Sequence, residues 1–251
     1  MALPPSETAA AMAETTRLNE LGQPIGYPVP GWTARPLPAR TPMRGRFCRI
    51  EPIDSARHAA DLHAANLADA EGRNWTYLGY GPFADLARYR AWMEATCLGD
   101  DPLFHAIIDG GTDKAVGVAS YLRIEPAVGV IEVGHINYSP LLQRSPAATE
   151  GMYLMMRRVF DELGYRRYEW KCDALNAPSR RAAERLGFSF EGIFRQATLY
   201  KGRNRDTAWY GIIDRDWPPI RAAFERWLDP ANFDAAARQR RRLSELMAEA
   251  A

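Results

Sequence analysis

Two residues at the start of a short predicted helix, Asn176 and Ser179, are placed where chemistry can occur. The segment 176–188 reads NAPSRRAAERLGF and lies between two extended stretches, 168–172 and the one that begins at residue 189. A polar residue leads into an amphipathic helix that a glycine ends. At such a helix start, Asn176 can bond the amide groups of a ligand and Ser179 can donate a proton. The alternative for each residue is helix capping.

The segment 143–148, QRSPAA, follows a predicted strand that ends near Tyr138 and precedes a predicted helix. Its small residues let a ligand approach the backbone, and the N–H groups and dipole of a helix start favour a diphosphate. The alternative is an ordinary junction between loop and helix, with Pro146 at the first helical position. The spacing leaves both interpretations open.

Glu132 is a further candidate, at the start of the strand segment EVGHINY. Strand alternation predicts two faces, one with Glu132, Gly134, Ile136 and Tyr138 and the other with Val133, His135 and Asn137. A carboxylate in mid-strand loses hydration energy unless it has a partner or a chemical task. Desolvation raises the pKa of such a group, which suits a general base. The alternative is a glutamate paired with an arginine, and His135 alone is more typical of packing.

The elements that position these residues follow the order β-α-α-β-β-β-α-β-α-β-β. Strands are predicted at 46–52, 103–109, 115–124, 130–138, 167–173, 190–200 and 207–213, and helices at 55–70, 84–98, 147–163 and within 176–188. The strands between 103 and 138 form a predicted antiparallel meander, and the strand–helix–strand unit after them requires a parallel crossover. The sequence therefore predicts a mixed α/β fold with a mostly antiparallel central sheet of about seven strands, flanked by helices.

Both ends of the chain differ from the middle, so the predicted organisation is an arm at 1–45, a domain at 46–216 and a helical extension at 217–251. The arm is rich in proline, which fixes φ and removes a donor, and we expect no regular helix or sheet there. It is either a disordered tail or an extended arm anchored by Tyr27 and Trp32. The basic run at 238–242 lies near Glu245 and Glu249, which indicates a solvated helix face.

The composition is that of an ordinary soluble protein, with 47% hydrophobic and 25% charged residues among 251. A net charge of +1 gives no global attraction to nucleic acid or membrane. The 3 cysteines are scattered and lack zinc spacing, so we expect no metal and a reduced, cytoplasmic protein. We find neither a signal peptide nor an apolar run of the roughly 20 residues that a membrane helix needs.

The span 47–217 resembles the GCN5-related N-acetyltransferases, the GNAT superfamily. The resemblance rests on IEVGHI at 131–136, QRSPAATE at 143–150, NAPSRRAAERLGF at 176–188 and FEGIFR at 190–195. The last two motifs are most similar to the branch of RimJ/RimL-type ribosomal-protein N-terminal acetyltransferases. The resemblance implies acetyl-CoA as donor and an amine as acceptor. It also implies a sheet whose central strands splay apart, so that the pantetheine arm lies between them.

The resemblance also implies roles for single residues. Backbone groups of Ile136, Asn137 and Tyr138 would bind pantetheine as an added strand does, with an amide near Tyr138 polarising the thioester carbonyl. The diphosphate would be held by Gln143, Arg144, Ser145, Ala147 and Ala148. Asn176 would contact the pantetheine side, and Ser179 would bind near the thiol and protonate it as it leaves. Glu132 would be the base that takes the proton of the amine, with no covalent enzyme intermediate.

The acceptor would enter over loops that vary among relatives, here 75–83 and the hairpin 201–206. Four aromatic residues of the first loop either line an acceptor pocket or form a packed loop: Trp75, Tyr77, Tyr80 and Phe83. The acceptor is expected to be a small-molecule or peptide amine. The additional terminal segments favour a homodimer.

Two positions depart from the family pattern. Pro146 stands where the diphosphate loop usually has glycine, so one N–H donor is missing, and Ala183 stands where many members have a tyrosine acid. Pro146 favours an alternative function, a GNAT-like module that binds CoA or a metabolite without catalysis. A third hypothesis is an interaction protein that uses the proline-rich arm and the basic C-terminal helix.

Overall fold

The computed structural model of the chain describes residues 17–235 and 238–250, and predictions for the remaining residues lie outside it. The chain divides into two compact units, the smaller ending at Ala34 and the larger beginning at Arg35. In the smaller unit, β1 (Arg17–Leu18) pairs antiparallel with β2 (Pro24–Ile25). The expectation that prolines exclude sheet is wrong here, because a proline is tolerated at the first position of a short edge strand.

The larger unit is built on one mixed sheet of eight strands. They are β3 (Met43–Arg44), β4 (Cys48–Pro52), β5 (Leu103–Asp109), β6 (Ala115–Glu125), β7 (Val130–Tyr138), β8 (Arg167–Asp173), β9 (Ser189–Tyr200) and β10 (Arg203–Ile213). The strand order is β3-β4-β5-β6-β7-β8-β10-β9, and only the β7–β8 pair is parallel among these strands. The predicted mixed α/β fold with a mostly antiparallel sheet is confirmed, with β3 as the strand that the sequence did not indicate.

Four of the six described helices begin after a polar residue that caps them. They are α1 (Ser55–Asn66), α2 (Leu86–Thr96), α3 (Pro146–Arg157), α4 (Ala177–Arg185), α5 (Trp217–Leu228) and α6 (Leu243–Ala250), with short 3₁₀ turns at Arg73–Trp75 and Pro230–Asn232 and a π turn at Arg158–Glu162. Asp54, Asp85, Ser145 and Asn176 each accept a backbone N–H of the helix that follows. The segment predicted as one helix at 147–163 consists of α3 up to Arg157 and the π turn Arg158–Glu162 after it.

Each face of the sheet has its own core, since side chains of successive strand residues point in opposite directions. One core joins α3 and α5 to the sheet through residues such as Met155, Trp217 and Phe224. The other joins α1 and α2 through residues such as Leu62, Tyr89 and Phe104. The C-terminal segment that the sequence predicts as an extension thus supplies α5 to the first core, while its boundary at residue 217 stays a prediction.

Glu150, in the first turns of α3, holds the turn between β3 and β4. Its buried carboxylate accepts the backbone N–H groups of Arg46, Phe47 and Cys48 at 2.7, 2.6 and 2.8 Å. An added Cβ at Gly45 would overlap this carboxylate, so the close approach requires glycine. The three bonds satisfy neighbouring main-chain donors, of which that of Cys48 is buried, and they hold the sheet edge against the helix.

Replacing Glu150 with Gln is expected to lower the free energy of unfolding by about 2–4 kcal/mol, because an amide nitrogen then faces backbone donors and the buried carboxylate that accepted them is lost. Urea denaturation measures this change. The control is Glu71→Gln, at a side chain 66% exposed, with an expected change within about 0.5 kcal/mol. A Glu150→Gln variant as stable as the control would contradict the proposed anchoring.

Candidate active site

The centre of the sheet opens where β7 and β8 part. The two strands pair in parallel from Val130 with Arg167 to Val133 with Trp170, and the register ends there although both strands continue. Within the described chain, residues 134–138 of β7 therefore pair with no strand other than β6. Backbone groups on the other side can pair with an extended ligand, as an added strand would.

A bulge in β7 lies at this point. His135 has φ of 50°, in the left-handed region, and the β6–β7 register shifts between Val118 and Ser120. The Ser120 hydroxyl donates to the Gly134 carbonyl at 3.2 Å, which supports the bulge from β6. The strict alternation predicted for 132–138 is wrong for this reason, because a bulge adds a residue and redirects side chains. Gly134, His135 and Ile136 all face the same cavity.

The splayed strands border a cavity of about 240 Å³. Its other walls are residues 74 and 77–80, the start of α4 and the end of the β9–β10 hairpin; its polar lining includes Asn74, Glu132, Lys171, Asp173, Asn176, Ser179 and Arg205. The hairpin crosses to the loop through two bonds to main-chain carbonyls. Lys201 Nζ donates to Trp75 O at 2.8 Å, and Arg203 Nη2 donates to Thr76 O at 2.7 Å. The two loops predicted to admit the acceptor are thus in contact.

Glu132 lies in the cavity wall within a row of ion pairs. Its Oε2 is 2.6 Å from Arg123 Nη1 and 3.0 Å from Lys171 Nζ. Lys171 Nζ is also 2.7 Å from Glu169 Oε2, and it sits 3.8 Å from the ring centroid of Trp209. Glu132 is therefore paired with an arginine, as the alternative interpretation of the sequence expects. It also faces the cavity.

The two glutamates that share Lys171 differ in acidity. Burial raises the pKa of Glu132, and the charges of Arg123 and Lys171 oppose that rise without cancelling it. Burial acts in the same direction on Glu169, but hydrogen bonds from Lys171 and Arg167 outweigh it and lower the pKa of Glu169. A carboxylate with a raised pKa beside a cavity has the property that a general base needs. Glu169 lacks that property.

His135 and Tyr80 form a second polar pair in the cavity wall. The Tyr80 hydroxyl lies 3.2 Å from His135 Nδ1, and the rings stack at 5.7 Å. Burial, with the charge of Arg123, lowers the pKa of His135 to about 4, so the imidazole is neutral at pH 7. The sequence indicated packing for this histidine. It does pack, against Tyr80 and against Phe104 at 4.8 Å between ring centroids, and the bulge also brings it to the cavity wall.

Asn176 is the capping residue of α4, whereas the Ser179 hydroxyl bonds a side chain of β8. The Asn176 side-chain oxygen accepts the Ser179 N–H at 3.1 Å and caps α4, which leaves its amide nitrogen for a ligand. The Ser179 hydroxyl accepts the indole N–H of buried Trp170 at 3.0 Å. The hydroxyl is also within hydrogen-bonding reach of the Cys172 thiol, so its own proton can go to that sulfur or to a ligand. Both side chains line the cavity.

The segment 143–148 is largely organised by its own hydrogen bonds. The N–H groups of Gln143, Ser145 and Ala148 bond to Ser139 O, Leu142 O and Ser145 Oγ. Pro146 has no N–H, so Arg144, with φ of 59°, and Ala147 carry the remaining backbone donors of the segment. A diphosphate at this helix start would therefore find two amides in place, and a third if the Ser145 side chain turns away.

The end of β7 is tied to this segment. Gln143 Nε2 donates to Tyr138 O at 2.7 Å and to Asn74 Oδ1 at 2.9 Å, and Asn74 Nδ2 also bonds Tyr138 O, at 3.2 Å.

Asn137 is 3% exposed, and neither polar atom of its side chain has a partner among the described residues. A buried amide of this kind is costly unless a ligand or water pairs with it.

The four predicted acceptor residues separate into two pairs. Tyr77 and Tyr80 line the cavity, and the Tyr77 hydroxyl donates to Leu175 O at 3.2 Å. Trp75 is 4% exposed and packs edge-on against Phe83 at 5.5 Å, within the core between α2 and the sheet. Both interpretations of this loop, pocket and packing, thus apply to different residues.

Arg123, Lys171 and Arg205 line the cavity and were not predicted from the sequence. Strand alternation was a signal for Lys171, since it stands two residues from Glu169 on β8, but pairing it with Glu132 requires the sheet register. Among residues 17–235 and 238–250 no cluster of potential metal ligands is present. No helix of that part of the chain is long and apolar enough to cross a membrane.

Comparison with known proteins bears on this site. Residues 48–189 match the family model described as Acetyltransferase (GNAT) domain. The crystal structure of a GCN5-related N-acetyltransferase from Brucella melitensis is 47% identical, with a TM-score of 0.86 over 88% of this chain and 100% of that chain. A probable acetyltransferase of the GNAT family from Chromobacterium violaceum is 38% identical, with a TM-score of 0.72 over 78% and 97%. Uncharacterized N-acetyltransferase p20 from Bacillus licheniformis is 24% identical over 144 residues, 56% of this chain and 80% of that protein.

Proposed function

This chain belongs to the GNAT acetyltransferase family, and from that premise we propose that it moves an acetyl group from acetyl-CoA to the nitrogen of a primary amine. The single observation that supports this most strongly is the parting of β7 and β8 after Val133 and Trp170, with a cavity in the gap. The family uses acetyl-CoA, and the acceptor remains a small-molecule or peptide amine.

The residues at the gap fit acetyl-CoA. Backbone groups of Ile136, Asn137 and Tyr138 follow the last β7–β8 pair and would hold the pantetheine arm together with the Asn176 side chain. Gln143, Arg144, Ser145, Ala147 and Ala148 would hold the diphosphate at the start of α3. Bound there, acetyl-CoA supplies a thioester carbonyl as the electrophile.

Glu132 is the base in this proposal. An amine acceptor with a pKa near 8–10 is mostly protonated at neutral pH, and it becomes a nucleophile only after losing that proton. The raised pKa of Glu132 reduces the difference between its pKa and that of the amine. The carboxylate lines the cavity, where it receives the proton of the amine directly or through one water. Arg123 and Lys171 keep it in position. An amide near the end of β7 polarises the carbonyl.

Ser179 is the proposed acid for the departing thiolate, and Ser179→Ala is expected to lower kcat by about 10- to 100-fold. The KM for acetyl-CoA should change by less than about threefold, because the hydroxyl acts mainly on the negative charge that develops on the sulfur as the thiolate leaves. Steady-state rates of thiol release measure both constants. Trp170→Phe is the positioning control, since it removes the indole donor but keeps the hydroxyl. A Ser179→Ala variant with unchanged kcat would remove Ser179 from this role.

The proposed function is tested by two measurements on the full chain. Acetyl-CoA should raise the melting temperature, because a ligand that binds the native state stabilises it. Thiol release from acetyl-CoA should then depend on the amine, across a panel of amino acids, peptides, polyamines and simple amines. Absence of any stabilisation by acetyl-CoA at millimolar concentration would overturn the proposal.

A second candidate function is binding of CoA or a metabolite without turnover. The observation that favours it is the segment 143–148, where Pro146 lacks an N–H and three other amides already have partners. Stabilisation by CoA with no thiol release for any amine of the panel would select this function.

The finer assignments are also proposals. The motifs at 176–188 and 190–195 support a RimJ/RimL-like branch, and three buried unpaired cysteines support a reducing, cytoplasmic setting. A homodimer is supported by the exposed edge strand β9, which presents Phe194 and Leu199 to solvent. Light scattering of the purified chain tests the homodimer. We propose no role in binding nucleic acid or membrane.

A further inference from the structure

The charged groups of the cavity are unequally partnered. Five residues in its lining carry charge at neutral pH: Glu132, Asp173, Arg123, Lys171 and Arg205. Glu132 is paired with both Arg123 and Lys171. Asp173 accepts the Tyr200 hydroxyl at 2.7 Å and the Leu175 N–H at 2.8 Å. Both acidic groups of the cavity are thus occupied by partners within the protein.

Arg205 is the one cation of the cavity lining that has no carboxylate of the described residues within ion-pair distance. Its Nε donates to the Thr207 hydroxyl at 3.2 Å, and its guanidinium lies 6.0 Å from the ring centroid of Tyr200. Among the ion pairs formed by residues 17–235 and 238–250, Arg205 takes part in none. With Nε bonded, the two terminal nitrogens of the guanidinium remain for a ligand.

Arg205 lies on the face of the sheet that carries Glu132. Thr207 stands opposite Asp173 and Trp209 opposite Lys171 in the β8–β10 register, and Lys171 contacts both Trp209 and Glu132. The bond from Arg205 to Thr207 places its guanidinium along this same row. The proposed diphosphate site is at a different element, the start of α3. The position of Arg205 therefore suits the acceptor better than the phosphates of the donor.

We infer that the acceptor is an amine that also carries an anionic group, a carboxylate or a phosphate, which Arg205 binds while Glu132 receives the proton of the amine. This inference rests on the proposed function. A planar guanidinium offers parallel donors that match either anion. A simple ammonium would leave the Arg205 guanidinium without an anionic partner, whereas an amine that also carries an anionic group supplies one.

The experiment compares matched amines with the full-length protein and acetyl-CoA. One pair is phenylalanine and phenylalaninamide, and the other is phosphoethanolamine and ethanolamine, so the two arms distinguish carboxylate from phosphate. At least one anionic member should have a kcat/KM about 10- to 100-fold above that of its neutral partner. Arg205→Gln should remove most of that preference by raising KM for the anionic amine, and Arg205→Lys should restore part of it.

Arg195→Gln is the matched control, because Arg195 is exposed on the same hairpin and lines a different cleft. Equal kcat/KM within both pairs would overturn the inference, as would an Arg205→Gln variant that weakens acetyl-CoA instead of the acceptor. Calorimetric binding of the same amines to the CoA-saturated protein separates the two hypotheses. A Kd that favours the anionic amine without any turnover would overturn the proposed acetyl transfer and support the role of Arg205. Equal Kd values would overturn that role whatever the turnover.

Discussion

Replacing Glu132 with Gln lowers kcat/KM by about 10²- to 10⁴-fold, if Glu132 takes the proton of the attacking amine. Gln keeps the size and shape of the side chain but cannot accept that proton. The effect should appear in kcat as well as in kcat/KM, since the interaction belongs to the reacting state and not to acceptor binding. Thiol-release kinetics at saturating acetyl-CoA measure both.

The pH dependence of the rate tests the same role of Glu132. Burial raises the pKa of Glu132, so activity should fall as pH decreases through that raised value, because the protonated carboxyl cannot act as a base. Glu132→Gln should lose this acidic limb. Protonation of the acceptor produces a limb of its own, which moves when an amine of different pKa is used, while the limb due to Glu132 stays in place.

Glu169→Gln is the control for this prediction. Glu169 shares Lys171 with Glu132 and is similarly buried, at 7% exposed against 3%, but it does not line the cavity. Its replacement removes one negative charge from the same row of ion pairs and should change kcat/KM by less than about threefold. If Glu169→Gln and Glu132→Gln lose activity equally, the loss comes from the ion-pair row and Glu132 is not the base.

Ala148→Asp should weaken acetyl-CoA binding by about 100-fold or more while the chain still folds. A carboxylate in the first turn of α3 would compete for the same amides and repel the diphosphate. The same charge interacts favourably with the positive end of the helix dipole, by about 0.3–1 kcal/mol. Calorimetry with CoA measures the affinity, and thermal denaturation without ligand measures the stability.

Ala148→Asn controls for size at this partly buried position, since it has nearly the shape of Asp without the charge. It should bind CoA within about tenfold of the original chain. If the Asp and Asn variants bind CoA as tightly as the unmodified protein, the diphosphate lies away from the segment 143–148. The assignment of that segment would then be withdrawn, although the splayed strands would still allow a pantetheine arm.

Local sequence was sufficient for most of the fold. The strands from Leu103 to Tyr138 and the helix after Asn176 were predicted because alternation, turn glycines and caps act over a few residues. The cavity-facing positions of Glu132, Asn176 and Ser179 follow from the same elements. The strand β3 was missed because two residues in a proline-rich stretch have no periodicity of their own, and their pairing depends on β4 and Glu150.

The remaining parts of the site depend on contacts between distant segments. The bulge that turns His135 into the cavity is supported from the neighbouring strand, through Ser120. The pairing of Glu132 with Lys171 requires the β7–β8 register. That Arg205 has no ion-pair partner among the described residues becomes clear only when the partners of the other charges are known. A single sequence gives residue types and local periods, and it contains no direct record of these distances.

The bonds from Lys201 and Arg203 to the carbonyls of Trp75 and Thr76 have a practical consequence for measurements on this protein. An amide oxygen neither gains nor loses a proton between mild acid and neutral conditions, and as an uncharged acceptor it responds weakly to ionic strength. The two bonds between the hairpin and the loop should thus persist across buffers that alter carboxylates. Changes in acceptor binding with pH or salt can accordingly be attributed to the charged residues that line the cavity and to the ligand, and not to these two bonds.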